Sequence, residues 1–152
     1  MRDIEIQLFS DGMKFAKDEF YLDAISNMNE LLVKFPDSEL VDDATYNIGL
    51  CYFNMNQFEK AILFFKKCID EYPDGTISVL TGGNEYGNIS SKCWYAIMNS
   101  YLALGKIDDA KISLDALSNF SDSYVEQTNG DKITFQKLAT NSFNLYIKQL
   151  NK

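Results

Sequence analysis

Six pairs of residues recur at one separation along this 152-residue chain. Gly12 and Gly49 are 37 positions apart, and so are Phe15 and Tyr52, Tyr21 and Phe58, Ala24 and Ala61, Ile25 and Ile62, and Pro36 and Pro73. Agreement in size and type at a fixed offset marks an internal repeat, so each copy has to be one supersecondary unit stacked on its neighbour. The central copy, Asp42 to Gly75, reads as two helices with a tight break between them. A third copy follows at an offset of 49: Tyr46 and Tyr95, Tyr52 and Tyr101, Phe58 and Ile107, Ala61 and Ala110, Phe65 and Leu114. The pattern predicts an all-α chain of three helical hairpins, over about residues 3–38, 42–75 and 89–122.

The residue types explain the repetition. Small side chains at Gly12, Gly49, Ala24, Ala61 and Ala110 let two helix backbones approach closely. Aromatics at Phe15, Tyr52, Tyr101 and Phe65 fill the space between one hairpin and the next. One hairpin cannot bury its apolar face alone, and about three make a stable stack. The first helix carries Ile4, Leu8 and Phe15 on one face and Ile6, Phe9 and Met13 on another, up to a break at Lys17–Phe20. The second, from about Tyr21 to Lys34, presents Leu22, Ile25, Met28 and Leu32, and ends at Phe35-Pro36 because proline cannot continue the ladder. Ser38 or Asp42 is placed to cap the next helix. In the third copy a helix opens near Ile89, Gly105 stops it in the left-handed conformation, and its partner starts around Ile107.

Two stretches interrupt the pattern. The offset grows from 37 to 49 through an inserted loop, residues 76–90, in which Gly82, Gly83 and Gly87 break any helix. Loops of that length are often functional. A tolerated surface insertion, or a kinked extension of the preceding helix, accounts for it as well. Ser118 to Asp131 is polar and reads as a second loop. A C-terminal helix then spans about 131–150, capped by Asp131 and apolar almost all round: Phe135, Leu138, Ala139, Leu145 and Tyr146 on one face, Ile133, Phe143, Ile147 and Leu150 on another. It either caps the stack or meets another chain.

Composition narrows the function. Acidic residues number 22 against 14 basic, a net charge of −8, and the longest basic cluster, Lys66–Lys67, reads as a solvated helix face. Nucleic-acid binding wants a basic stripe that this chain lacks. There is no histidine to serve as general base or zinc ligand, and Cys51, Cys68 and Cys93 form no CxxC. Asp42–Asp43 and Asp108–Asp109 precede helix starts, where carboxylates meet the positive end of the dipole. GGNEYG lacks the lysine and preceding strand of a phosphate loop. No enzyme, cofactor or metal is expected. No run approaches the roughly 20 apolar residues that span a bilayer. Charges near the N-terminus and three unpaired thiols point to a reducing, cytoplasmic setting, or a periplasmic one if an export signal has been removed.

These residues resemble tetratricopeptide repeats. The central copy has Ile48-Gly49, Tyr52, Ala61, Phe65 and Pro73 at the family's spacing, with Cys68 for the usual alanine and Thr45 where a large residue is usual. The first copy keeps Leu8, Gly12, Phe15, Ala24 and Pro36. The third keeps Trp94, Ile97, Tyr101, Ala110 and Leu114, with Met98 for the glycine and no closing proline. Phe35 to Phe53 is further similar to the inter-repeat segment of bacterial outer-membrane assembly lipoproteins and of the Tol–Pal-associated division coordinator. The resemblance implies a right-handed α-solenoid with a concave groove lined by the first helix of each pair. Position by position, the groove would hold Ile6, Phe9 and Met13, then Tyr46, Leu50, Phe53 and Asn54, then Tyr95, Asn99 and Leu102. Phe9 and Met13 stand where a carboxylate clamp would put lysine and asparagine, which argues against such a clamp.

The expected function is a non-enzymatic scaffold or adaptor binding a peptide or partner protein in that groove. The alternatives are a structural subunit that self-associates through the C-terminal helix or the 76–90 insert, and a small acidic secretion-type chaperone.

Overall fold

The same turn is built three times. Glu19, Asn56 and Gly105 occupy one repeat position, and each has a positive φ, 66°, 61° and 73°. At each turn an N–H reaches back to the carbonyl five residues earlier: Phe20 to Phe15 at 2.8 Å, Gln57 to Tyr52 at 2.9 Å, and Lys106 to Tyr101 at 2.9 Å. This is the bond that closes a helix on a left-handed residue. The offsets of 37 and 49 read from side chains are thus the offsets of the backbone.

The computed structural model describes residues 2–78 and 83–152. The chain divides into two compact units, Met1–Tyr72 and Pro73–Lys152. The first unit holds α1 (Arg2–Lys17), α2 (Tyr21–Lys34), α3 (Val41–Asn54) and α4 (Phe58–Glu71). Each hairpin packs on itself, and α2 packs on α3. The glycines set the approach. A Cβ on Gly49 would lie 2.7 Å from the Phe65 ring, and one on Gly12 would lie 2.8 Å from the Met28 methyl. Phe65 and Met28 are themselves equivalent positions, both fully buried. In the third hairpin the equivalent pair is Met98 and Leu114, both buried. The large residue moves to the first helix and the second carries a smaller one.

Burial differs between equivalent faces. Val41, Ala44, Ile48 and Cys51 of α3 are buried in one cluster with Ala24, Ile25, Met28 and Leu31 of α2. The same positions in α1 are Ile4, Gln7, Asp11 and Lys14, of which Ile4, Gln7 and Lys14 are exposed and Asp11 half-buried. Gln7 donates to Asp11 at 2.8 Å. α1 therefore turns a largely solvated side where α3 turns an apolar one.

α3 is buried throughout its first turns, charges included. Neither Ser38 nor Asp42 caps it in the expected way. Leu40 is the N-cap residue with no side-chain bond, Ser38 Oγ accepts the Leu40 N–H at 3.2 Å, and Asp42 lies inside the first turn, accepting the Asp43 N–H at 2.9 Å. Asp108 and Asp109 likewise lie inside a helix's first turn rather than before it. Thr45, at the position where a large residue is usual, is fully buried and donates to the Val41 carbonyl at 2.7 Å.

The second unit contains α5 (Ile89–Ala103), α6 (Ile107–Ala116), a 3-10 turn (Leu117–Asn119) and α7 (Phe135–Leu150). It also has a small sheet that corrects the two loop expectations. β1 (Glu85–Tyr86) lies within the 76–90 insert, and β2 (Tyr124–Glu126) within the polar stretch from Ser118 to Asp131. β3 (Lys132–Thr134) takes the place expected for the start of the last helix. The strands pair antiparallel in the order β1-β2-β3, with Tyr86 opposite Tyr124 and Tyr124 opposite Thr134. Around the insert, Thr76 bridges Asn88 and the Ile77 N–H reaches Gly87 O at 2.9 Å. Gly82 and its three predecessors lie outside the described residues. Thr134, not Asp131, caps α7: its hydroxyl accepts the Lys137 N–H at 3.1 Å.

Ser123 ties these parts together. Its hydroxyl accepts the Asn88 N–H at 3.0 Å and its carbonyl the Phe135 N–H at 3.2 Å. Gly87, at φ 112°, lies so close that any Cβ there would collide with Ser123.

Three outcomes are expected in thermal or urea unfolding. Gly49→Ala should cost about 1–3 kcal/mol by overpacking against a rigid buried ring. Gly12→Ala should be nearly neutral, because the Met28 end can swing away and alanine favours helix by about 0.5–1 kcal/mol. Glu19→Gly should stabilise by up to about 1 kcal/mol by relieving the left-handed strain. Equal losses for the two glycines would show that the stiffness of the facing side chain does not set the cost.

Candidate functional site

The residues expected to line a groove fall in both units, and the units present them differently. In the first unit, α1 and α3 touch directly. Ile6 and Met13 are half-buried on α1, packed against the same cluster as Phe9, Ile48 and Cys51. Leu50 and Phe53 are half-buried on α3, and Asn54 at its end is exposed. Phe53 meets the Phe58 ring edge-on at 5.2 Å. Two residues of the set do not line a surface. Phe9 is 4% exposed and Tyr46 6% exposed, the latter tilted against Phe65 at 5.4 Å. Phe9 belongs to the cluster with Ile25, Met28 and Ile48, and Tyr46 is held by the buried Phe65. Those that keep some exposure are Ile6 and Met13 on α1, and Leu50, Phe53 and Asn54 on α3.

In the second unit, α7 packs on α5 more than on α6, whereas α3 packs on α2 and barely on α1. It therefore departs from the register of a further repeat and lies over the helix that carries Tyr95. The Tyr95 hydroxyl is 3.5 Å from Ser142 Oγ, and its ring is 6.2 Å from that of Phe135. Tyr95 and Asn99 are half-buried and Leu102 is 6% exposed. The side of α5 assigned to a partner thus has an intramolecular occupant at Tyr95, and Leu102 belongs to the core. α7 is held by its first turns, where Phe135 and Ala139 are buried, while Leu145 and Leu150 toward its end stay 58% and 54% exposed. Between α6 and α7 opens a cleft of about 520 Å³ whose floor includes Leu114 and Phe143.

The chemistry of the buried groups is structural. Burial pushes the Cys51 thiol up to about 11, so at neutral pH it is an inert thiol. Cys68 donates to the Asp42 carbonyl at 3.4 Å. Burial also raises the Asp42 carboxyl above its usual range, more than hydrogen bonds from Asp43 lower it. Among the described residues, no three His, Cys, Asp or Glu side chains gather as a metal set, and no helix is long and apolar enough to cross a membrane.

The Asp42 shift has a definite sign. An acid whose pKa rises on folding binds its proton more tightly in the folded state, so stability is greatest below the unfolded value of 3.8 and is lost as pH rises through the folded value. Asp42→Asn should therefore flatten the fall in stability just above pH 3.8 and leave the chain more stable than wild type at neutral pH. A variant that is less stable at neutral pH would show that the charge is compensated.

The tetratricopeptide repeat profile matches residues 43–74, the α3–α4 hairpin. No curated protein sequence matches the chain. Solved structures do. The Hsp90 co-chaperone Cns1 from Saccharomyces cerevisiae superposes with a TM-score of 0.69 at 13% identity, covering 99% of this chain and 41% of Cns1, so this chain spans well under half of that protein's length. The first TPR of Spaghetti (RPAP3), bound to the HSP90 peptide SRMEEVD, gives 0.66 at 16% identity over 99% of this chain and 95% of that one. PcrH in complex with the chaperone binding region of PopD gives 0.66 at 14% identity over 98% and 95%. At these identities the match is one of fold. The hairpin at residues 43–74 is a tetratricopeptide repeat, and the chain around it has the tetratricopeptide-repeat fold.

Proposed function

We propose that this chain is a protein-interaction adaptor without catalysis of its own, binding a peptide or partner protein on the strip formed by α1 and α3. The observation that carries the reading is the strip itself. Ile6, Met13, Leu50 and Phe53 are each left half-buried on the first helices of two adjacent hairpins, with the Asn54 amide exposed beside them. Half-exposed apolar side chains on rigid elements, with a nearby amide for a peptide backbone, suit an interface anchored by a few residues. Two structures of the same fold hold a peptide and a segment of another protein, which supports this class of function. The net charge of −8 argues against nucleic acid as the partner.

A second reading, self-association, is favoured by one observation: the apolar end of α7, where Leu145 and Leu150 stand exposed. Light scattering at two concentrations separates the readings, since a monomer at both removes self-association.

The strip is tested by affinity capture from native lysate with wild type and Phe53→Glu side by side. Burying a charge at an aromatic anchor should lower partner recovery at least about tenfold. Because Phe53 is only half-buried, helicity should stay unchanged. Equal recovery by both proteins would remove the strip as the binding surface. Loss of helicity in the variant would instead place Phe53 in the core.

A further inference from the structure

On the second helix of the same hairpin lies a surface of different chemistry. Tyr52 and Phe64 stack at 5.5 Å with an interplanar angle of 24°. Lys60 Nζ stands 5.5 Å from the centre of the Tyr52 ring, and Lys67 Nζ 5.9 Å from that of Phe64. Among the described residues, neither lysine is paired with a carboxylate. Between them Leu63 is 65% exposed, beside a shallow depression of about 540 Å³ that Lys66, Asp70 and Glu71 also line. The two ammonium groups are thus held on aromatic faces, with an aliphatic side chain between them.

The repeat supplies an internal control. In the first hairpin the positions of Lys60, Leu63, Phe64 and Lys67 hold Asp23, Ser26, Asn27 and Glu30. In the third, Lys60 and Lys67 correspond to Asp109 and Ala116. Hairpin geometry therefore does not require lysine or phenylalanine there. One hairpin of an acidic chain has reversed the charge of this face and added an aromatic floor.

We propose that this face of α4 docks an acidic, amphipathic helix of a partner protein. The geometry specifies the chemistry. Lys60 and Lys67 are seven residues apart on one helix, so their backbone positions lie about 10 Å apart along one side. A helix carrying two carboxylates at i and i+7, with leucine-like residues at i+3 and i+4, places its charges on the two lysines and its apolar side chains on Leu63 and Phe64. Charge complementarity fixes the register, and the ring faces under the ammonium groups position them for the carboxylates. Asp70 and Glu71, at the far end of the depression, exclude further acidic residues there and so limit the length of the motif.

The test uses the full chain and a fluorescent helical peptide with Glu at i and i+7 and Leu at i+3 and i+4. Its controls are the same peptide with Gln for Glu, and vesicles containing phosphatidylserine. The acidic peptide should bind wild type at least about tenfold better than the Gln peptide, and less well in added salt. The Lys60→Glu/Lys67→Glu variant should lose the acidic peptide and bind a Lys-for-Glu peptide instead. If that variant does not fold, Lys60→Gln/Lys67→Gln carries the test and should bind the acidic and Gln peptides alike. Equal binding of the acidic and Gln peptides by wild type, or retention of the acidic peptide by the charge variants, overturns the proposal. So does binding of vesicles without binding of the peptide. Phe53→Glu should leave this binding intact, which separates a failure here from a failure of the α1–α3 strip.

Discussion

The contact between the Gly49 backbone and the Phe65 ring governs the rest of the first unit. With nothing on Gly49, the ring of a fully buried phenylalanine seats directly on helix α3, and α3 and α4 close to a separation that any side chain would widen. Tyr46 packs against the same ring, tilted at 5.4 Å. Burial of α3 against α2 follows, because the two hairpins can share Ile25, Met28, Ala44 and Ile48 only while each is closed. Interiors packed at crystal-like density leave little slack for a change of one methyl group.

The three hairpins show how such a rule is kept while its residues change. Glycine faces methionine in the first and phenylalanine in the second. In the third, methionine stands on the first helix and leucine on the second. The combined bulk is shared differently, and the turn geometry is the same in all three, down to the bond that closes each on a left-handed residue. The third hairpin also has a small sheet, pinned by Ser123, that holds the start of α7. That anchor lets α7 lie over α5 out of repeat register, since a chain simply continuing the stack would be directed onto α6.

The hairpins were legible in the sequence because close packing repeats the same small and aromatic residues at one offset. Helix α2 begins and ends where Tyr21 and Phe35-Pro36 suggest, and Gly105 is left-handed as its type implies. The sheet was missed because its strands are two or three residues long and carry too few alternations for periodicity to register. A signal was present nonetheless: Asn129-Gly130 between Tyr124-Val125-Glu126 and Lys132-Ile133-Thr134 is the spacing of a hairpin, and Gly130 does adopt a φ of 88°. The cap of α7 was misplaced for the same reason, since Thr134 can be recognised as the cap only once 132–134 is known to be strand. The resemblance places the candidate groove residues on α1, α3 and α5. Residue type could not separate Phe9 and Tyr46, which are buried, from Leu50 and Phe53, which are half-buried, because all four are apolar.

Helix α3, packed between α4 on one side and α2 on the other, should be the most protected element of its unit. Native-state amide hydrogen exchange tests this directly, because protection reports the free energy of the opening that exposes each amide. Amides from Ile48 to Phe53 should exchange only with global unfolding, slower than those of α1, whose outer side carries Gln7, Asp11 and Lys14. If α1 and α3 exchange at the same rate, or α3 exchanges faster, the central packing of Gly49 on Phe65 is not what holds the unit together.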